Sequence, residues 1–266
     1  MALIEKITAI ADAIRGKTGT EDKLTLEQMA DEIDNMSGGS AEYCAMIQGE
    51  MESFTFPEEA TVLRPYAFYK ASKLKHADLR GCSLIGDESF RESGLESVVF
   101  DESMSYPSKN LGARVFSGAM LTEVNSDVSM TLTTATPGFF QVCKELKTVY
   151  LPKVNINNSI GTFNGCTALE KVVINAAALS NSNFNGCTSL TALVLLNDSV
   201  STLGGINNFT NTPIEAGTGY IYVPRALLSD EDATKDYRRA TNWVNFKDQF
   251  RAIEDYPEIC GGGVGE

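Results

Sequence analysis

From about residue 60 to residue 224 the hydrophobic positions fall into one recurring frame. A phenylalanine is followed three residues on by a small residue, three further on by a leucine, and then by a short run in which apolar and polar residues alternate. The frame is plainest in FNGCTALEKVVI from Phe163 and FNGCTSLTALVL from Phe184, and it is present in FYKASKLKHADL from Phe68 and FQVCKELKTVYL from Phe140. Versions one residue shorter before the leucine begin at Phe90 (FRESGLESVVF) and Phe116 (FSGAMLTEV), and a degenerate copy at Phe209 (FTNTPI) runs into YIYVP. Alternation at period two predicts one short strand per copy, with one face turned inward. In the run from Leu169 to Ile174, Glu170 and Lys171 are expected to face out.

The seven anchor phenylalanines lie 22, 26, 24, 23, 21 and 25 residues apart, the period range of leucine-rich repeats. A single such strand cannot bury its apolar face alone, so each copy depends on its neighbours. The phenylalanines are expected to stack as an internal column. The position three after each is Ala71, Ser93, Ala119, Cys143, Cys166, Cys187 and Thr212. Replacement of cysteine by Ala, Ser or Thr shows that this site requires small size, so the three cysteines read as buried structural thiols.

The flanks follow helical spacing. Leu3, Ile7, Ile10 and Ile14 share one face of a first helix, and Leu26, Met29, Ile33 and Met36 one face of a second that opens on the capping pattern Thr25-Leu-Glu-Gln28. Helices this short are marginal alone. Leu3, Ile7, Ile10, Ile14, Leu26, Met29 and Ile33 are therefore expected to attach the hairpin to a partner or to a second copy, with capping of the first repeat as the alternative. The expected organisation is a helical hairpin over 1–36, a Gly/Ser linker over 37–40, a solenoid over 41–224, and a helical cap with a glycine-rich tail over 225–266. In the cap, Ser229-Asp-Glu-Asp232 reads as an acidic helix start, and Trp243, Phe246, Phe250 and Ile253 are placed on a last helix.

Thirty-five acids against 22 bases give a net charge of −13, which repels phosphate backbones and anionic lipid surfaces. No run of residues has the length and apolarity of a membrane helix. The first 19 residues carry Glu5, Lys6, Asp12 and Arg15 among their apolar positions, unlike the continuous core of a secretory signal.

Catalytic constellations fail one by one. His76 is the only histidine, and its place in KLKHADL suits an exposed strand residue. No phosphate-binding glycine loop occurs. Asn181, Asn183, Asn207 and Asn208 lack the spacing of a calcium loop and suit turns. The expectation is no catalytic residue, no metal and no cofactor. By geometry, Lys75, Glu96, Glu170, Lys171 and Thr191 are the candidate partner-facing positions.

FQVCKELKTVYLP, from Phe140 to Pro152, resembles the BspA-like leucine-rich-repeat proteins of bacteria over about residues 60–224. That resemblance implies an α/β repeat solenoid, right-handed with a parallel sheet on one side, and a role in adhesion or protein binding. IADAIRGKTGTEDKLTLEQMADEI is similar to an N-terminal helical segment of phage tail and baseplate-associated proteins. It implies a virion structural or receptor-binding protein whose partners are virion components or a host-surface protein or glycan. The alternative is a bacterial adhesin at the cell surface or secreted.

Overall fold

The computed structural model describes residues 51–260 apart from 58–59, 229–230 and 233. The hairpin expected over 1–36, its candidate attachment residues and the linker at 37–40 lie outside the described residues. The chain divides into two units, 1–54 and 55–266; the second holds the repeats.

Every copy of the frame forms a strand. After β1 (Ser53–Thr55), at the unit boundary, come β2 (Val62–Leu63), β3 (His76–Asp78), β4 (Leu84–Ile85), β5 (Ser97–Val99), β6 (Ser105–Tyr106) and β7 (Glu123–Asn125). Then follow β8 (Ser129–Leu132), β9 (Thr148–Asn157), β10 (Lys171–Leu179), β11 (Ala192–Leu195), β12 (Thr202–Leu203), β13 (Tyr220–Val223) and β14 (Phe250–Ala252). All registered pairings of β2–β14 are parallel, as stacking of like on like requires. The first strands of successive repeats run β3–β5 and β7–β9–β10–β11–β13–β14. Shorter second strands pair beside them. β9 and β10 span both positions, with register shifts where they turn; there Pro152 carries no N–H and its carbonyl accepts the Asn175 side-chain amide.

Two columns fill the interior. The strand column Val124, Val149, Val172, Leu193, Ile221 and Phe250 is in register and buried throughout. Opposite it stand the anchor phenylalanines. Rings 68–90, 90–116, 116–140, 140–163, 163–184 and 184–209 lie 5.3–5.7 Å apart with planes within 11° of parallel. The residue two after the phenylalanine is left-handed in all seven repeats: Lys70, Glu92, Gly118, Val142, Gly165, Gly186 and Asn211. The residue two before is left-handed in six of them. This double twist aims each ring inward and leaves its N–H free to donate to the next repeat, as from Phe90 to Val115 O and from Phe163 to Asn183 O, both at 2.9 Å.

The small-residue column behaves as the sequence requires. Ser93, Ala119, Cys143, Cys166, Cys187 and Thr212 are buried, and Ala71 at the first repeat is half-buried. Cys143, Cys166 and Cys187 each donate Sγ–H to the phenylalanine carbonyl of the preceding repeat, at 3.0, 3.0 and 3.1 Å. Burial pushes the thiols of Cys143 and Cys187 well above the ordinary thiol range, so they stay protonated and unreactive. The position before each phenylalanine changes character along the stack, from Ala67, Ser89, Val115 and Phe139 to Thr162, Asn183 and Asn208. In the last three repeats it becomes a buried amide ladder: Asn208 Oδ1 accepts the Asn183 N–H at 2.9 Å, and Asn183 Oδ1 accepts the Thr162 N–H at 3.1 Å. Ser89, between Ala67 and Val115, finds no partner for its buried Oγ.

The closing segment corrects the expected last helix. Residues Trp243–Gln249 form 3-10 turns, Phe250 opens strand β14 on the edge of β13, and the only α-helical turn among the described residues is Pro257–Cys260. A three-residue spacing suits a 3-10 turn as well as an α-helix. It brings both Trp243 and Phe246 onto Phe209, with centroids at 6.0 and 5.0 Å, so they end the phenylalanine column. Trp243 is fully buried and donates Nε1–H to Ser201 O at 2.7 Å. Among the described residues of the acidic stretch, Asp232 Oδ1 accepts the Thr234 N–H and hydroxyl, at 2.9 and 2.7 Å, in a turn.

Three stability measurements check this packing. Phe163→Ala is expected to cost about 3–5 kcal/mol in urea unfolding, against less than about 1.5 kcal/mol for Cys166→Ser. Equal costs would refute the division of labour between the two columns. Val142 holds a β-branched side chain at φ 59° with 37% of its surface exposed. Left-handed backbone costs such a residue about 1–2 kcal/mol, so Val142→Gly is expected to raise the melting temperature despite the added freedom of the unfolded chain. Third, burial pushes the Glu88 carboxyl up, but hydrogen bonds from Arg114 (2.9 Å) and Arg91 (2.8 Å) offset this and hold it below its ordinary 4.5. A depressed carboxylate contributes stability above its unfolded pKa and loses it as pH falls through the folded one. Stability lost below about pH 4.5 is therefore expected to shrink in Glu88→Gln, and an unchanged acid limb would contradict the assignment.

Candidate functional site

On the sheet's outer face the repeats present the same positions in register. The residue after each repeat leucine forms a backbone ladder at the strand entrances. From Glu96 on, each N–H donates to the carbonyl of the preceding repeat along Lys75, Glu96, Thr122, Lys147, Glu170 and Thr191, at 2.8–3.3 Å, and the Thr191 carbonyl accepts the Tyr220 N–H at 2.8 Å. Four of the five expected positions (Lys75, Glu96, Glu170 and Thr191) therefore share one line. Lys171 belongs to the neighbouring line, which pairs His76 with Ser97 and then runs Glu123, Thr148, Lys171, Ala192, Tyr220. Thr122, Lys147 and Glu123 were passed over in the sequence although they stand at the same offsets from Leu121 and Leu146. Side chains along the two lines are exposed or half-buried until Ala192, which is buried.

The first line reads Lys, Glu, Thr, Lys, Glu, Thr, so opposite charges sit next to each other along it. Lys75 Nζ reaches Glu96 Oε1 at 2.6 Å, and this hydrogen bond holds the Glu96 carboxyl below its usual range. Charges paired in this way attract neither a polyanion nor a polycation strongly, and both side chains of the pair are more than 40% exposed, so the pair itself contributes little stability. What the face offers is a rigid polar array at strand spacing. Its backbone groups are already used in the ladder, which leaves recognition to side chains.

His76 lies in the open on this face with its Nδ1 2.8 Å from Ser97 Oγ. Nucleophilic catalysis needs a third group to orient the imidazole and donors for an oxyanion. Among the described residues no carboxylate is hydrogen-bonded to the ring, and the nearby Asp78 carboxylate is engaged by Arg80. The pair is a cross-strand contact. Among the described residues no group of His, Cys, Asp or Glu has the geometry of a metal site. Asn183 and Asn208, weighed as calcium ligands, are used in the turn ladder.

A cavity of about 540 Å³ opens among Arg91, Arg114, Met120, Val142, Lys144 and Glu145. Arg91 and Arg114 are both committed to Glu88, at 2.8 and 2.7 Å. The lining mixes charge signs and converges no set of donors on one point. No described helix is long and apolar enough to cross a membrane.

No curated protein matches the chain. Among solved structures it is similar to a leucine-rich repeat protein from Bacteroides ovatus (15% identity, TM-score 0.40, 70% of this chain and 57% of that one). It is also similar to the T. pallidum leucine-rich repeat protein (22% identity, TM-score 0.36, 52% of this chain and 78% of that one). The chain thus spans little more than half the length of the Bacteroides ovatus protein. The family described as "BspA type Leucine rich repeat region" matches in six copies, over residues 37–111 and 83–215. With more than half its length matched by that repeat, the chain belongs to the BspA-type leucine-rich-repeat family.

Proposed function

We propose that this chain is a non-enzymatic binding protein that presents the outer face of its parallel sheet to a protein partner. The observation that carries this reading is the registered array from Lys75 to Thr191. Its side chains are open to solvent on a backbone whose hydrogen bonds are already made, with no catalytic group, metal cluster or phosphate cradle on it among the described residues. A side-chain array of fixed spacing loses little entropy when a partner binds, which favours recognition by shape and polarity. The net charge of −13 disfavours nucleic acid as that partner.

Two settings suit such a protein. Membership of the family supports a bacterial surface or secreted repeat protein, and this setting has the stronger support. A virion component rests on the resemblance of the N-terminal segment alone.

The test is charge reversal on the face. Lys75→Glu, Glu96→Lys and Glu170→Lys together are expected to weaken binding to the purified partner at least tenfold by titration calorimetry. Reversal of Lys144, Glu145 and Glu215, away from the sheet, is expected to leave it unchanged. Equal effects of the two sets would remove the outer face from the reading. Immunodetection on intact cells or in purified phage particles then separates the settings.

A further inference from the structure

The outer face changes from polar to apolar along the stack. In its line nearest the strand ends, Asp78 pairs with Val99, and Asn125 is followed in register by Tyr150, Val173, Val194, Tyr222 and Arg251. Strand alternation turns these side chains away from the core column of Val149, Val172, Leu193 and Ile221. They ought to be exposed. Instead Val173 and Val194 are 0% exposed and Tyr222 6%. Beside their sheet neighbours Tyr150, Leu196 and Tyr220, the chain's own stretch after β14 lies over them: Ile253, Tyr256 and Ile259 pack on the cluster of Val173, Ala192, Val194 and Tyr222. Tyr256 meets Tyr222 edge to face at 5.5 Å.

This covering segment is not the part that closes the solenoid. Trp243 and Phe246 already end the phenylalanine column, and β14 already covers the edge of β13. Residues 253–259 lie on the opposite side of the sheet from that core, and their three apolar side chains are only half-buried there. The backbone hydrogen bonds of Tyr256 and Ile259 go to Ile253 and Tyr256 within the segment, both at 3.0 Å. Its polar fastening is to Arg225: the Glu254 carboxylate accepts the Arg225 N–H at 3.0 Å, and Asp255 pairs with the guanidinium. That ion pair is more than half exposed on both sides, the kind that contributes little.

We infer that Tyr150, Val173, Val194 and Tyr222 form a docking strip for a protein segment, and that residues 253–259 are its resident occupant. The occupant defines the chemistry of the partner: a short turn-forming segment with large apolar side chains three residues apart and carboxylates between them, as in Ile253-Glu-Asp-Tyr256-Pro-Glu-Ile259. In the free protein the resident segment shields an aromatic strip that would otherwise promote aggregation. A partner segment displaces it and adds to the contacts of the polar array. The inference rests on the outer face being the binding face, but its test uses only the chain's own segment. Failure here leaves the charge-reversal test standing, and the reverse holds too.

The experiment compares the full chain with one ending at Ala252, using a fluorescent peptide of residues 253–260 with Cys260→Ser as probe. The shortened chain is expected to keep its far-UV circular dichroism and a cooperative melt, and to bind the peptide saturably by anisotropy. Binding at least tenfold weaker is expected for the full chain, and likewise for a Tyr256→Ala peptide. A folded shortened chain that does not bind the peptide, or full and shortened chains that bind it equally, overturns the inference. Loss of fold on shortening also overturns it. Independently, hydrogen exchange in the intact chain is expected to run at least a hundredfold faster at 253–260 than in β13. Equal protection would show a segment that opens only with the whole sheet, and would refute a displaceable occupant.

Discussion

The stacking of one phenylalanine on the next is the contact on which the rest of the structure depends. Six consecutive ring pairs from Phe68 to Phe209, each nearly parallel, set the distance between repeats. At that distance the strands fall into parallel register and the turns donate hydrogen bonds from repeat to repeat. The column also explains why the chain needs Trp243 and Phe246. A stacked column ends on an exposed ring unless something covers it, and these two side chains close it with tilted and edge-on contacts. The small-residue site has a related reason: a side chain larger than cysteine or threonine there would collide with the turn of the preceding repeat, whose phenylalanine carbonyl lies about 3 Å from each thiol.

The repeat was legible because its signals are strong and local: Phe, the small residue and Leu at fixed offsets, with period-two alternation after them. The doubly left-handed turn was harder to see. Gly138 and Gly161 mark its first position and Gly118, Gly165 and Gly186 its second, but Tyr66, Glu88 and Val142 hold the same conformation with side chains that give no hint of it. There inter-repeat hydrogen bonds override local preference. The cap misled for a different reason. Aromatic residues three and four apart fit an α-helix, yet Phe250 was claimed by the open edge of β13, because an unpaired edge is a stronger demand than helical periodicity over one turn.

The outer face was read in part. The offset after each repeat leucine placed Lys75, Glu96, Glu170 and Thr191 on one line. What the sequence concealed is that the same face turns apolar at Tyr150 and is then covered from the chain's own C-terminal side. A run such as VVI in β10 looks the same whether its middle residue is covered by the core, by a partner or by a distant segment. The sheet thus has two zones with different chemistry: an open polar one and a shielded aromatic one. Together they describe a surface suited to a protein partner that offers both charge and apolar contacts.

The central claim is that neighbouring phenylalanines hold the solenoid together pairwise, and a double-mutant cycle on Phe140 and Phe163 tests it most directly. Phe140→Leu and Phe163→Leu, alone and together, would be compared with the non-adjacent pair Phe90→Leu and Phe163→Leu by urea unfolding. Nearest-neighbour stacking predicts a coupling of about 0.5–1.5 kcal/mol for the adjacent pair and additivity within about 0.5 kcal/mol for the separated one. Additivity in both cycles would contradict the claim and leave the rings as independent space-fillers.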